Sequence, residues 1–424
     1  MTLQANTRLT AAETALVEAY NTQISDLPGD ADVLSARDRL LDDLKTGGLP
    51  TRRIESWHYT DLKTLVKTWP ALEGADTTKV LPPMVAGSSV LAVLQGKADG
   101  ARADGFTVSH YRDSLSDGSA AARLAAASDD DAIGRINGSF VRDGFVLEIP
   151  ADAELEAPVE IQSIHAGGQA HTRFPVKIGA GAKVVVIERH IATSGDEAAL
   201  VSSVSDITVG EGAEVTWVVV QQQGAADTFL GQVRVDLGAD AKLKLFNVNA
   251  GGKLVRQELR IDANGEGSEL TLRGVNLIGG EQHVDVTLVL GHNVPNTSST
   301  DVFRNVVFDR GRGVFQGMIK VAIDAQKTDA KMSCNTLLLS DEADFSAKPE
   351  LEIFADDVVC GHGATVADID DNHLYYLKAR GIPENIARAM LVNAFVAEVV
   401  EELEDEPLVE ALEAIISAWL AKHA

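Results

Sequence analysis

The chain has 424 residues, 45% of them apolar, with 37 Lys and Arg against 63 Asp and Glu and a formal net charge of −26. That length holds two or three domains, or one long repeat array with appendages, and the apolar content is enough for a buried core. An acidic surface repels phosphate backbones, and no basic stretch interleaved with aromatics offsets it, so nucleic acid is excluded as a partner.

The first residues, Met1 to Asn6, lack a charged segment followed by an apolar one, and no apolar run approaches ~18 residues. The expectation is a cytoplasmic protein without a membrane partner. Cys334 and Cys360 are the only cysteines. They are too few for a disulfide framework and read as small buried side chains or as ligands.

Residues up to about 48 favour helices. Thr10-Ala-Ala-Glu13 is a capping-box pattern with Leu16, Val17 and Tyr20 at helical spacing behind it. Val33, Leu34, Leu40, Leu41 and Leu44 continue that character until Gly47-Gly48 stops it. The stretch from Pro50 to Leu62, dense in Arg, Glu, Trp and Tyr, reads as a packed turn with an ion pair and a buried indole. A looser segment with Pro82-Pro83 and Gly87 leads to short α/β material, including a helical pattern from Ala132 to Asn137.

From residue 145 an internal repeat dominates. Short strands such as Val176–Ile178, Ile207–Val209 and Val235–Leu237 each run into a corner of small residues, and another strand follows. The corners begin at Pro150, Gly179, Gly210, Gly238 and Gly265, at separations of 29, 31, 28 and 27 residues. A period near 30, with two strands and no helix per repeat, fits a solenoid of stacked coils. Glycine supplies the positive φ of a tight corner and lets one coil sit on the next. Gly-x-Gly also joins antiparallel strands, so a sandwich of hairpins remains open at this point. The register is expected to weaken after residue 290, where Gly291-His-Asn-Val-Pro295 and Arg310-Gly-Arg-Gly313 are imperfect echoes.

Cys360-Gly-His362 lies where the β-rich region gives way to helices. In an extended strand the two side chains point to one face. A thiolate beside an imidazole can hold zinc, copper, iron or an iron–sulfur cluster. Two ligands do not close a site, so the others come from elsewhere in the chain or from a partner. Next, Asp370-Asp371 cap a short helix from Asn372 to Arg380, Gly381 ends it and Pro383 starts the next. The helix from Glu384 to about Leu403 is apolar over much of its circumference and must be covered on more than one side. Eight carboxylates between Glu398 and Glu413, with no base among them, read as a solvated face. A last amphipathic helix runs from Leu408 to about Leu420.

Three segments, Pro50–Thr60, Lys348–Thr365 and Asp368–Ile382, resemble the SufB/SufD family of the SUF iron–sulfur cluster assembly system. The match is close there and looser across the repeats. Two details resemble its D-type members: Gly361 and Gly363 stand where B-type members have glutamates, and the chain is shorter than theirs. The resemblance implies a mainly β fold, a right-handed parallel β-helix flanked by helical domains. The corresponding boundaries are 1–80 (helical), 81–144 (α/β lead-in), 145–366 (β-helix) and 367–424 (helical).

It also implies partners: the paralogue SufB through the β-helix, the ATPase SufC through the C-terminal helices, and a homodimer in isolation. Leu374, Tyr375, Tyr376, Arg380, Gly381, Ile382, Met390 and Phe395 are the expected docking residues. His362 would be one ligand of a nascent cluster shared with SufB, with Cys360 its neighbour. Cys334, where B-type members carry their key cysteine, is a further candidate against the simpler reading of a packed thiol. The expected cofactor is a transient iron–sulfur cluster or iron at the partner interface, none being tightly bound by this chain alone. A flavin has no residues assigned to it. The resemblance implies a scaffold rather than an enzyme, and no Gly-x-x-x-x-Gly-Lys-Ser/Thr loop is present, so any ATP chemistry belongs to the partner. The rival is an exported-type β-helix polysaccharide lyase or hydrolase. It would need an acid/base pair and aromatic platforms, and aromatics make up only 5% of this chain.

Overall fold

The computed structural model describes residues 9–75, 78–100, 104–193 and 197–423. Each coil lays one strand in each of two sheets, so strands that are next but one in sequence become hydrogen-bonded neighbours. Lys242–Asn249, for example, pairs in parallel with Glu214–Gln222 on one side and Glu269–Ile278 on the other. Among the described residues the sheets hold ten and nine strands. Parallel pairing throughout the repeat rules out the hairpin sandwich, and the fold is a mainly β parallel solenoid with helices at both ends.

The corners explain their glycines. An added Cβ on Gly265 would lie 1.9 Å from the Ala239 backbone nitrogen of the preceding coil, and Gly267 takes φ +74°. One glycine allows the coils to touch and the other turns the chain. Contrary to the expectation from sequence, the geometric repeat does not weaken after residue 290. The positive-φ position passes to Asn296 and Lys327. The corner hydrogen bonds continue from Asn296 N–H to Gln326 O (2.9 Å) and from Lys327 N–H to Asp357 O (2.6 Å).

Between the sheets, alternate residues such as Val215, Trp217, Leu243, Leu245, Leu259 and Ile261 form one long apolar core. Both outer faces are covered as well, which is why the strands read as almost continuous apolar runs. On the ten-stranded sheet, Val218, Phe246 and Val275 pack under Val396, Val400, Leu412 and Ile416. Those residues come from the helices Glu384–Val400 and Glu406–His423. On the other sheet, Leu200, Val204 and Leu230 pack under Leu16, Ile133 and Phe140.

Sheet pairing starts ahead of the repeat. Ser89–Leu94 pairs in parallel with Val159–His165, and Thr107–His110 pairs antiparallel with Asp143–Ile149. The segment 81–144 therefore supplies the first strand of both sheets. The acidic run near the C-terminus is not simply a solvated face. Glu398 pairs with Arg304 (2.6 Å), Glu404 with Lys244 (2.9 Å), and Glu402 with Arg273. The solenoid holds the bases that the run lacks, and the pairs fix the C-terminal helices against it.

Asp301 is a carboxylic acid placed inside the core. It is fully buried, and neither carboxylate oxygen meets a hydrogen-bond partner among the described residues. Burial outweighs the pull of Arg273 and pushes its carboxyl up to about 8. The folded state thus keeps a proton that the unfolded chain gives up near pH 4, so stability falls as pH rises from about 4 to about 8. Asp301→Asn is expected to remove that slope, at most about 1.4 kcal/mol per pH unit. Urea denaturation at a series of pH values checks it, and an unchanged slope counts against a protonated Asp301.

Candidate functional site

The solenoid ends uncovered. Among the described residues Val359–Ala367 is the last strand of the ten-stranded sheet and pairs only with Asp329–Leu338, while Asp344–Ile353 ends the other sheet. Phe354 and Val359 are 65% and 63% exposed there, unusual values for large apolar side chains in this molecule.

Strand alternation places the candidate ligands as expected. Cys360 is beside Ala330, His362 beside Met332 and Ala364 beside Cys334. Ala330, Met332 and Cys334 belong to the inter-sheet core, so Cys360 and His362 share its inward face at the last coil. Cys360 is half-buried, and burial pushes its thiol up. His362 is exposed. Cys334 lies one strand behind, fully buried, with Asn305 Nδ2 donating to its Sγ at 3.3 Å. Burial pushes the Cys334 thiol up to about 12, which keeps it neutral in the folded chain. No group of three or more His, Cys, Asp or Glu is placed to hold a metal ion among the described residues. A Cβ added at Gly361 or Gly363 would meet nothing within 4 Å. Packing within this chain therefore does not require glycine at either position.

The expected docking residues divide. Leu374 is buried, and Ile382 and Phe395 pack against the same apolar cluster under the C-terminal helices. Phe395 also lies under the Arg304 guanidinium, 4.9 Å from ring to Cζ. These three hold their own domain together. Tyr375, Tyr376 and Met390 are exposed, along with Ile386, which lies outside the expected docking set. The Arg380 guanidinium covers the Tyr376 ring at 4.7 Å, and Gly381 takes φ +84° as the helix Asp371–Ala379 ends.

The Pro50–Leu62 segment is a packed turn, as read from sequence. Trp57 is fully buried, its Nε1 donates to Asp130 O at 3.0 Å, and the Arg256 guanidinium stacks on it at 4.5 Å. The ion pair is Glu55 with Lys348, at 2.8 Å. Arg256 itself was not legible as a partner, because nothing local marks which strand faces the turn.

A family model described as "SUF system FeS cluster assembly, SufBD core domain" matches residues 161–395, more than half of the chain. The chain belongs to the SufBD family. Iron-sulfur cluster assembly protein SufD of Escherichia coli is 29% identical over 377 residues, which cover 87% of this chain and 88% of that protein. The SufD of Bacillus subtilis is 28% identical over 68% of this chain and 67% of its own length. A SufBD family protein of Synechocystis is 27% identical over 63% of this chain and 62% of its own. This SufBD chain is thus a subunit of SUF iron–sulfur cluster assembly of the SufD type. The matched model spans the solenoid from its first coils through the terminal strand to Phe395, so the Cys360–His362 strand lies within the family's core domain. The polysaccharide reading gives way to it.

Proposed function

We propose that the chain is a non-catalytic scaffold that pairs with SufB through the uncovered end of its solenoid and donates half of a cluster site there. The terminal coil carries this reading: its strands end without a covering element, and they present His362 and the half-buried Cys360. A metal or cluster held by those two donors needs ligands from a second protein. Such shared ligation suits a scaffold that must later release its cluster. Cys334 is a packed thiol in this reading. The exposed Tyr375, Tyr376, Ile386 and Met390, beside Arg380, form the surface on which SufC docks. The iron or cluster is cargo rather than a resident group, and the setting is cytoplasmic.

Anaerobic co-purification with and without SufB and SufC, followed by iron and sulfide analysis, tests the proposal. Complex formation with cluster only in the presence of SufB is the expected result. Binding to neither partner ends the reading, and a stable cluster on this chain alone ends the half-site.

A further inference from the structure

A polar column runs through the largely apolar lumen of the solenoid. His190, Gln221, Asn249, Asn276, Asn305 and Thr336 occupy one inward register on six successive strands of the ten-stranded sheet. Its downstream half is self-sufficient. Asn249 Nδ2 donates to Asn276 Oδ1 and Asn276 Nδ2 to Asn305 Oδ1, each at 2.7 Å, and Asn305 Nδ2 reaches Thr336 Oγ1 at 3.1 Å.

The upstream half differs. His190 Nδ1, both amide atoms of Asn247, Asn249 Oδ1 and Gln257 Oε1 meet no protein partner among the described residues. None of these four side chains is more than 1% exposed. Asn247 and Asn249 are successive inward positions of one strand, in phase with the core residues Leu243 and Leu245. Gln257 is in phase with the core residues Leu259 and Ile261 on the next strand, which belongs to the same coil, so it faces them across the lumen. Buried amides without partners are rare because each forfeits its hydration.

We infer that this stretch of the lumen is a hydrated chamber in which bound water joins Asn247, Asn249, Gln257 and His190. The wall groups select the guest. His190 Nε2 lies 2.8 Å from Glu188 Oε1, an acceptor, so Nε2 donates there, and the free acceptors are the amide oxygens of Asn247, Asn249 and Gln257. The chamber therefore offers several acceptors and one amide donor. Water can donate to the former and accept from the latter. An apolar guest satisfies none of them, and a cation leaves the amide donor bare. The chamber is closed toward the terminal coil by Phe303 and Phe315, both fully buried, with ring centroids 4.6 Å apart. Phe303 lies over Gly274, the strand neighbour of Asn247, where an added Cβ would come 2.2 Å from its ring. Chamber water is thereby kept from Cys334 and the strand that carries His362.

Thermal denaturation of the full chain carrying Asn247→Leu separates the two states of the lumen. Leu matches Asn in branching and heavy-atom count but is larger, so Asn247→Val, closer to Asn in volume, is measured beside it and must shift in the same direction. In a hydrated chamber Leu strips the water and Gln257 of a partner, so the melting temperature falls by a few degrees, on the order expected for one lost buried hydrogen-bond network. In a dry lumen it replaces an unpaired amide, and a rise in melting temperature overturns the inference. If the variant does not fold, a high-resolution crystal structure of the unmodified chain decides. Water within hydrogen-bond reach of Asn247 and Gln257 is expected. An empty lumen, amides bonded to each other, or an ion in that position overturns it.

Discussion

His362→Ala is expected to reduce the iron and sulfide retained by the proposed complex with SufB by on the order of tenfold or more, the scale on which metal sites lose affinity even when a supporting group is removed. The same change should leave the stability of this chain within about 0.5 kcal/mol, as for an ordinary surface substitution. Both expectations come from one fact: the imidazole is exposed and makes no side-chain hydrogen bond among the described residues. It is available to a partner and contributes nothing to its own fold. Cys334→Ser is the contrast. Its thiol is fully buried behind Ala364 and held neutral, so cluster formation should stay near the wild-type level. Anaerobic reconstitution with iron and sulfide assays, beside urea denaturation of each variant, measures both. Undiminished cluster on His362→Ala sinks the half-site, and loss of cluster on Cys334→Ser moves the sulfur ligand one strand inward.

What the sequence reveals about this molecule depends on how local the cause is. The solenoid is legible because Gly265 and Gly267 serve two local needs, close approach of coils and a positive φ, and the same pair recurs at Gly179 and Gly210. Past residue 290 the same corner is made by Asn296 and Lys327, so composition fades while geometry persists. Asparagine takes a left-handed conformation readily, but lysine carries no such signal. The shared face of Cys360 and His362 follows from the period of a strand. How deep each thiol lies does not, since period 2 gives the face and not the coil, and Cys334 is sealed where Cys360 is not. Charge pairing is the least legible. Glu398, Glu402 and Glu404 look unpaired because Arg304, Arg273 and Lys244 precede them by 94, 129 and 160 residues. The apolar circumference of the helix after Pro383 did report correctly that more than one side is covered. The sheet takes one side and the last helix another, and Ile386 and Met390 remain exposed.

Arg256→Ala is expected to destabilise the chain by about 3–5 kcal/mol, the range for removing one partner of a buried ion pair. Arg256 is fully buried beneath the Pro50–Leu62 turn. Its guanidinium pairs with Asp285 and with Glu258 at 3.1 Å, donates to Ser56 O at 2.8 Å and stacks on Trp57. Without it Glu258 still has Arg260 (3.2 Å) and Gln232 (2.9 Å), whereas among the described residues Asp285 keeps only the hydroxyls of Thr60 and Thr287. The larger part of the loss is therefore a carboxylate left buried without its cation. Two comparisons isolate it. Lys348→Ala, which removes the half-buried partner of the exposed Glu55, should cost no more than about 1 kcal/mol. Arg256→Met with Asp285→Asn should recover much of the Arg256→Ala loss, because no unpaired charge remains and the methionine refills the space over Trp57. Urea denaturation gives the energies, and limited proteolysis shows whether the turn at Pro50–Leu62 opens before the solenoid does. If the double variant is no more stable than Arg256→Ala, the stacking on Trp57 and the bond to Ser56, rather than the ion pair, hold this turn to the solenoid.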